Sequence, residues 1–218
     1  MILYGVYRSR ASRNLWLLGE TGLPFRHVPV IQAYRLPDPA APDAPLNTRS
    51  ERFLKVSPLG AIPVLEDDGL VLTESLAINL YLADKAGGPL APSTPRQRAE
   101  AEQWALFATA WLETDALALQ SGHADGAGRT TEGRARLDAC VERLRRPLAY
   151  LEVHLAAEGH VQGGRFTVSD INLAEVLRYA QAEPGLLAGY PAIQRWLAEC
   201  QSRPAFQAMW QARSAEPA

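Results

Sequence analysis

The sequence has 218 residues, a length that fits one large domain or two small ones. Its 22 basic residues are balanced by 24 acidic ones, so the chain lacks the excess positive charge that binds nucleic acid or an anionic membrane surface. Composition therefore favours small molecules or other proteins as partners, and no nucleic acid or membrane is expected among them.

The low cysteine content indicates a reducing, intracellular compartment. Cys140 and Cys200 are too few for a disulfide framework or a zinc cage, and both lie in segments with a helical pattern. The N-terminus shows no basic segment followed by an apolar run, and no uninterrupted apolar stretch of about 18 residues occurs. We therefore expect a cytoplasmic protein with neither an export signal nor a membrane span.

The chain opens with a strand, a helix and a strand. The apolar run 2–6 predicts a buried strand, and residues 12–21 predict a helix that ends at Gly22, where a left-handed conformation costs least. Residues 25–30 alternate like a second strand. Its Pro29 cannot donate to a neighbouring strand, which predicts a position at the edge of the sheet.

A proline-rich loop and a hairpin follow. Four prolines within residues 32–45 exclude a helix or a strand there, so we expect a long loop near the functional site. The Asp68-Gly69 pair between the apolar runs 62–65 and 70–72 predicts a β-hairpin. Residues 73–75 then supply the polar start of a helix. With a short helix before the hairpin, the order is βαβ(α)ββα.

Beyond about Ser93 the hydrophobic period is helical throughout, after a linker rich in glycine and proline at residues 87–92. The pattern predicts helices at 95–120, 132–157, 168–183, 192–202 and 205–212. We therefore expect an α/β domain at residues 1–86 and an all-α, helical bundle domain at residues 93–218.

Three short motifs occur in order along the chain. The first is Ser9-Arg10-Ala11-Ser12-Arg13-Asn14-Leu15-Trp16-Leu17-Leu18, followed by Gly22-Leu23-Pro24-Phe25. The second is Ser57-Pro58-Leu59-Gly60-Ala61-Ile62-Pro63-Val64-Leu65, followed by Leu72-Thr73-Glu74-Ser75. The third is Phe166-Thr167-Val168-Ser169-Asp170, which reads as a capping box with a hydrophobic staple. As an ordered set they resemble the cytosolic glutathione transferase family, and the first motif is similar to its bacterial serine-type members.

The resemblance implies a thioredoxin-like, glutathione-binding domain followed by a helical domain that holds an electrophilic substrate. It implies a detoxification enzyme, a homodimer, that joins the glutathione thiolate to an apolar electrophile. Glutathione is then a co-substrate, and neither a cofactor nor a metal is required. A homodimer of this kind would have an isologous interface.

Ser9 is the candidate catalytic residue. It lies in the loop before the first helix, where unpaired N–H groups and the helix dipole stabilise an anion. The resemblance implies that its hydroxyl stabilises the glutathione thiolate. A serine at this position also serves as an ordinary helix cap, and Ser12 and Tyr7 remain alternatives for the catalytic role.

The second motif supplies the expected glutathione contacts. The resemblance implies a cis peptide bond at Ile62-Pro63, with the main chain of Ile62 turned toward the cysteinyl part of glutathione like an added strand. An ordinary trans proline at the start of an edge strand is the alternative. Glu74 and Ser75 match the ammonium and carboxylate of the γ-glutamyl group, although such a pair also caps helices.

The electrophile pocket is assigned from helix periodicity. Trp104, Phe107 and Trp111 recur at spacings of three and four, so they share one helix face, which is either core or pocket lining. Tyr7 is a fourth candidate for this pocket. His123 and His154 have no partners at ligand spacing, so a metal site is unsupported.

Two alternatives to conjugation remain. Arg8, Arg10 and Arg13 either form a solvated surface or receive carboxylates, which suits glutathione-dependent isomerisation of an acidic substrate. Ser57 and Ala61 depart from the family pattern, in which asparagine and a lysine or glutamine occur at these positions. That departure leaves open a non-catalytic protein-binding module.

Overall fold

The computed structural model describes residues 1–217, which form two compact units. The first unit contains Met1–Gly87 together with the segment that starts at Pro204, and the second contains Gly88–Arg203. The boundary between them falls within the predicted linker.

The first unit is built on a mixed sheet that has four strands among the described residues, in the order β2-β1-β3-β4. The strands are β1 (Ile2–Tyr4), β2 (Arg26–Val28), β3 (Val64–Asp67) and β4 (Leu70–Leu72). Strand β1 runs parallel to β2 and antiparallel to β3, with Leu3 opposite both His27 and Leu65. Strand β2 lies at the edge, as the proline that follows it predicts.

Helices follow the strands in the predicted order. They are α1 (Ala11–Thr21), α2 (Glu51–Leu54) and α3 (Ser75–Ala86). Helix α1 ends at Gly22, which has φ +67° and donates its N–H to the carbonyl of Leu18 at 2.9 Å. The βαβ(α)ββα order is confirmed, and the unit has a thioredoxin-like fold. The proline-rich loop contains a single 3₁₀ turn, Ala33–Arg35, within its described length.

The last helix, α9 (Pro204–Ala215), packs within the first unit. The ring of Phe206 meets the ring of Trp16 edge-on at 4.9 Å, and Ala205 lies against Gly19 of α1. The structure therefore differs from the expected 93–218 range. Periodicity shows that α9 has an apolar face, but not which unit covers that face.

The second unit is all-helical. Its helices are α4 (Pro95–Phe107), α5 (Thr114–Ala124), α6 (Thr131–Glu158), α7 (Val168–Leu177) and α8 (Pro191–Ser202). A π-helical segment, Ala108–Glu113, joins α4 to α5, so the predicted helix at 95–120 is continuous but locally widened. Within residues 1–217, every helix is too short or too polar to span a bilayer.

Asp170 holds the start of α7. One carboxylate oxygen accepts from the main-chain N–H and the hydroxyl of Thr167, at 2.8 and 3.1 Å. The other accepts from the N–H of Val161 at 3.0 Å and from the indole N–H of Trp196 at 2.8 Å. The predicted capping box is confirmed, and this buried carboxylate also ties α7 to α8.

We expect Asp170→Ala to lower the free energy of unfolding by about 3–4 kcal/mol, because several buried donors lose a charged acceptor. Urea unfolding followed by circular dichroism measures the loss. Asp138→Ala, which removes an exposed carboxylate paired with Arg134, is the matched control and should change stability by no more than about 0.5 kcal/mol. Equal stabilities for the two variants would contradict this role of Asp170.

A second buried carboxylate, Asp67, lies at the end of β3. The ammonium of Lys85 donates to it at 2.5 Å and the hydroxyl of Tyr81 at 2.7 Å. These two hydrogen bonds, that of Lys85 first, hold the pKa of Asp67 below its ordinary value of 3.8. The stability that this carboxylate contributes is therefore present above that value and is lost as the pH falls through the lowered pKa.

We expect Lys85→Met to be less stable than the wild type at neutral pH, since it removes the first donor to Asp67. The difference in unfolding free energy should shrink as the pH falls through the lowered pKa of Asp67, where the wild-type carboxylate also becomes protonated. Urea unfolding at a series of pH values tests this. Lys55→Met, at the other lysine of the sequence, which is exposed, should differ from wild type by the same amount at every pH. A constant difference for Lys85→Met would exclude the linkage.

Candidate active site

Gly5 sets the course of the loop between β1 and α1. Its φ is +144°, and a Cβ placed there would lie 2.7 Å from the Cβ of Ala11. The same Cβ would lie 3.7 Å from the Cβ of Ile62 and 3.8 Å from the Cα of Pro63. The contact with Ala11 and the positive φ require glycine, and the two longer distances, which are ordinary van der Waals contacts, place the β1–α1 loop beside the proline turn.

Ser9 lies in this loop and is partly buried. Its hydroxyl donates to the carbonyl of Val6 at 2.6 Å, and its oxygen accepts from the N–H of Ala11 at 3.0 Å. Ser9 therefore satisfies the N–H of Ala11, one of the unpaired groups at the start of α1, although it precedes the N-cap residue Arg10. A ligand atom at this hydroxyl competes with one main-chain carbonyl for its hydrogen.

The two alternatives to Ser9 differ in accessibility. Ser12 is 0 % exposed, so in this conformation no ligand reaches its hydroxyl. Tyr7 is partly buried, and its ring meets the ring of His27 edge-on at 5.5 Å. Burial, and secondly the charge of Glu216, raise the pKa of Tyr7. Its phenol is therefore protonated at neutral pH and able to donate.

The peptide bond between Ile62 and Pro63 is cis, which confirms the expectation for this turn. The hydroxyl of Ser57 braces the turn by donating to the carbonyl of Ala61 at 2.9 Å and accepting from its N–H at 3.2 Å. Ser57 thus has a structural role at a position that departs from the family pattern. The side chain of Ala61 is exposed.

Helix α3 begins at Ser75, and the residue before it has an unusual conformation. Glu74 has φ +67° and ψ +104°, a region that residues with a side chain seldom occupy, and its side chain is exposed. Such conformations cost about 1–3 kcal/mol and concentrate at functional sites. The strained backbone thus places the exposed carboxylate of Glu74 at the start of α3.

A buried polar network joins α1 to α3 behind Ser75. The guanidinium of Arg13 donates to the hydroxyl oxygen of Ser75 at 2.9 Å, and the amide of Asn14 donates to the carbonyl of Ser75 at 2.8 Å. Asn14 also donates to Asn79 at 2.7 Å, and Asn79 donates to the carbonyl of Arg13 at 3.2 Å. These hydrogen bonds fix the position of Ser75 relative to the start of α1.

Sequence reasoning missed this network. It grouped Arg13 with Arg8 and Arg10, which are exposed, whereas Arg13 is 1 % exposed. The available signal was two asparagines, Asn14 and Asn79, within otherwise apolar helix segments. Such residues need hydrogen-bond partners when they are buried.

The residues of the predicted aromatic face all lie in the second unit, but they differ in how deeply they are buried. Phe107 and Trp111 line an open groove of about 670 Å³ together with Leu106 and Tyr150, and Trp111 is 56 % exposed. Trp104 is 5 % exposed and packs against the rings of Phe107, Tyr150 and His154. Trp104 is therefore a core residue, and it packs against Phe107 and Tyr150, which line the groove.

Neither cysteine is suited to nucleophilic chemistry. Burial raises the pKa of the Cys140 thiol, and it raises that of Cys200 well above the ordinary value. Within residues 1–217, no group of three or more histidine, cysteine, aspartate or glutamate side chains is arranged to hold a metal ion.

A thioredoxin-like unit with a cis-proline turn, joined in one chain to an all-helical unit, defines the class of protein. Comparison with known families agrees with this class. The family model for the glutathione S-transferase N-terminal domain matches residues 3–90, and that for its C-terminal domain matches residues 109–204. The chain belongs to the glutathione S-transferase family.

The chain is similar to enzymes and to a translation factor. It is 32 % identical to glutathione S-transferase 3 of Zea mays, over 94 % of this chain and 90 % of that protein. It is 31 % identical to a glutathione S-transferase of known structure from Pseudomonas fluorescens, with a TM-score of 0.76 over 94 % of this chain and 96 % of that one. It is 33 % identical to elongation factor 1-gamma of Carassius auratus, over 74 % of this chain but 36 % of that protein.

We expect Glu74→Gly to have a free energy of unfolding about 1 kcal/mol higher than that of Glu74→Ala. Both variants lose the carboxylate, but glycine adopts positive φ without strain, and this gain exceeds the entropy that glycine adds to the unfolded chain. Urea unfolding of the two variants side by side measures the difference. A more stable alanine variant would show that the conformation at position 74 is not strained.

Proposed function

We propose that this protein is a glutathione transferase that joins the thiolate of glutathione to an electrophilic carbon of an apolar molecule. The observation that carries the proposal is the position of the Ser9 hydroxyl, at the start of α1 on the loop that packs against the Ile62-Pro63 turn. Addition and displacement of a leaving group are both within this chemistry.

The proposed role of Ser9 is to stabilise the sulfur anion. A free thiol has a pKa near 8.5, so lowering it by about two units supplies roughly 2.7 kcal/mol to the thiolate. If the Ser9 hydroxyl turns from the carbonyl of Val6 to a thiolate, a neutral hydrogen bond is replaced by a charge-assisted one. The positive end of α1 adds to the same effect.

The proposed contacts of the glutathione backbone lie in the same unit. The main chain of Ile62 would pair with the cysteinyl part as an added strand. The carboxylate of Glu74 would receive the γ-glutamyl ammonium. The oxygen of Ser75 already accepts from Arg13, so its hydroxyl hydrogen remains to be donated to the γ-glutamyl carboxylate. Arg13 adds a buried positive charge behind that contact.

The proposed contacts of the electrophile are aromatic side chains. In the second unit, Phe107 and Trp111 present aromatic surface to an open groove, with Trp104 as support. In the first unit, Tyr7 is the candidate, since its protonated phenol could donate to a substrate oxygen. We also propose, from the family, that the protein acts as a cytoplasmic homodimer in detoxification.

A non-catalytic module is the second candidate function, and the similarity to elongation factor 1-gamma is the observation that favours it. Ala61, where many family members carry a side chain that helps to hold glutathione, is consistent with it. Glutathione-dependent isomerisation of an acidic substrate is the alternative within the enzyme class. Isothermal titration separates module from enzyme, because sub-millimolar glutathione binding supports an enzyme and its absence supports a module.

We expect Ser9→Ala to lower kcat/KM by about 100-fold while glutathione still binds, because the thiolate loses the hydrogen bond that stabilises it. Initial rates with chloronitroaromatic, enone and epoxide substrates measure the loss. The pKa of the bound thiol, followed by the ultraviolet absorbance of the thiolate, should rise by about two units.

The matched control is Ser121→Ala, which removes an exposed hydroxyl that bonds carbonyls of its own helix in the second unit. It should leave both rate and thiol pKa unchanged. Full turnover in Ser9→Ala would overturn the role of Ser9, and loss of turnover in Tyr7→Phe would then transfer that role to Tyr7.

A further inference from the structure

The C-terminal segment of the chain returns to the β1–α1 loop. Beyond the end of α9, the carboxylate of Glu216 accepts from the main-chain N–H of Tyr7 at 2.7 Å through one oxygen. Its other oxygen accepts from the N–H of Arg8 at 2.8 Å. Two consecutive N–H groups therefore hold one carboxylate at distances typical of charge-assisted hydrogen bonds.

Arginines reinforce this contact. The guanidinium of Arg8 donates to the carbonyl of Glu216 at 3.3 Å, and that of Arg35 donates to the carbonyl of Pro217 at 2.6 Å. The guanidinium of Arg213 donates to the carbonyl of Tyr7. The carboxylate of Glu216 thus lies in a strongly cationic part of the first unit, which favours an anion at this point irrespective of its origin.

The loop supplies the two N–H groups independently of the helix that follows. Tyr7 and Arg8 precede α1, and their N–H groups point to one carboxylate as successive amides do in anion-binding loops. The amide of Gln32 donates to the carbonyl of Arg8 at 3.1 Å, which fixes the loop from the opposite side. The N–H pair is therefore held in place by more than its occupant.

The occupant lies just beyond the end of α9. Helix α9 ends at Ala215, so Glu216 and Pro217 lie outside regular structure, and the hydrogen bond from Arg8 is exposed to solvent. Opening this segment breaks its hydrogen bonds to the loop but leaves α9 formed. A competing carboxylate therefore has access to the N–H pair without unfolding any helix.

We propose that the N–H groups of Tyr7 and Arg8, with the guanidinium of Arg8, form a binding site for the carboxylate of a small aromatic acid. Glu216 occupies this site as a built-in competitor that an acid ligand displaces. The ring of Tyr7, packed edge-on against His27, provides an aromatic neighbour for such a ligand. The inference stands independently of the thiol chemistry assigned to Ser9.

Competition between Glu216 and an external carboxylate determines how strongly the ligand appears to bind. The apparent dissociation constant of a ligand equals its intrinsic value divided by the fraction of molecules in which the site is open. If Glu216 occupies the site in about nine molecules of ten, its removal tightens binding of an external carboxylate about tenfold.

The probe is benzoate, with the neutral isostere benzamide as ligand control, measured by isothermal titration. We expect Glu216→Ala to bind benzoate about tenfold more tightly than the wild type, and Glu216→Gln to be intermediate, because an amide oxygen competes less well than a carboxylate. Asp68→Asn removes an exposed carboxylate in the β3–β4 turn and should bind benzoate like the wild type. Benzamide should bind none of the four proteins with comparable affinity.

Absence of benzoate binding to Glu216→Ala, or equal affinity in Glu216→Ala and wild type, would overturn the proposal. Equal gains in Glu216→Gln and Asp68→Asn would also overturn it, because the effect would then follow net charge alone. Hydrogen exchange of the unsubstituted protein gives an independent test that needs no variant to fold. Benzoate should speed amide exchange at residues 214–216 and leave exchange at Tyr7 and Arg8 slow, and an unchanged C-terminal segment would refute displacement.

Discussion

The close approach at Gly5 is the constraint on which the candidate site depends. A Cβ at this position would collide with the Cβ of Ala11, at 2.7 Å, and would lie in ordinary van der Waals contact with Ile62 and Pro63. Because glycine removes that collision, the loop that carries Ser9 turns into α1 while it passes within contact distance of the cis-proline turn. Two segments that are more than fifty residues apart in sequence thereby lie side by side, and Gly5 is the residue at which the loop passes the turn.

The second requirement is a fixed start of α3 relative to α1. The hydrogen bonds of Arg13 and Asn14 to Ser75, and the bond between Asn14 and Asn79, join the two helices through buried polar atoms. A buried network of this kind strongly specifies one arrangement, since a shift of either helix would leave polar groups without partners. The same network adds a positive charge next to the hydroxyl proposed to bind the γ-glutamyl carboxylate.

Much of the fold could be predicted from local sequence patterns. The period of the apolar residues, Pro29 at the end of an edge strand and the Asp68-Gly69 turn identified the order of strands and helices, because each is a property of neighbouring residues. The capping box at Thr167 could be predicted for the same reason. Family resemblance, rather than any local pattern, pointed to the cis bond before Pro63 and to Ser9 as the candidate nucleophile-stabilising residue.

By itself, the sequence determined which segments are helix or strand and where the α/β part gives way to the helical part, since both follow from short-range spacing and turn chemistry. Tertiary structure alone decided that Arg13 is buried, that α9 packs on α1, and that Glu216 reaches the N–H groups of Tyr7 and Arg8. These outcomes depend on which distant surfaces meet, and a linear pattern of apolar and charged residues holds no information about the partner that each face will find.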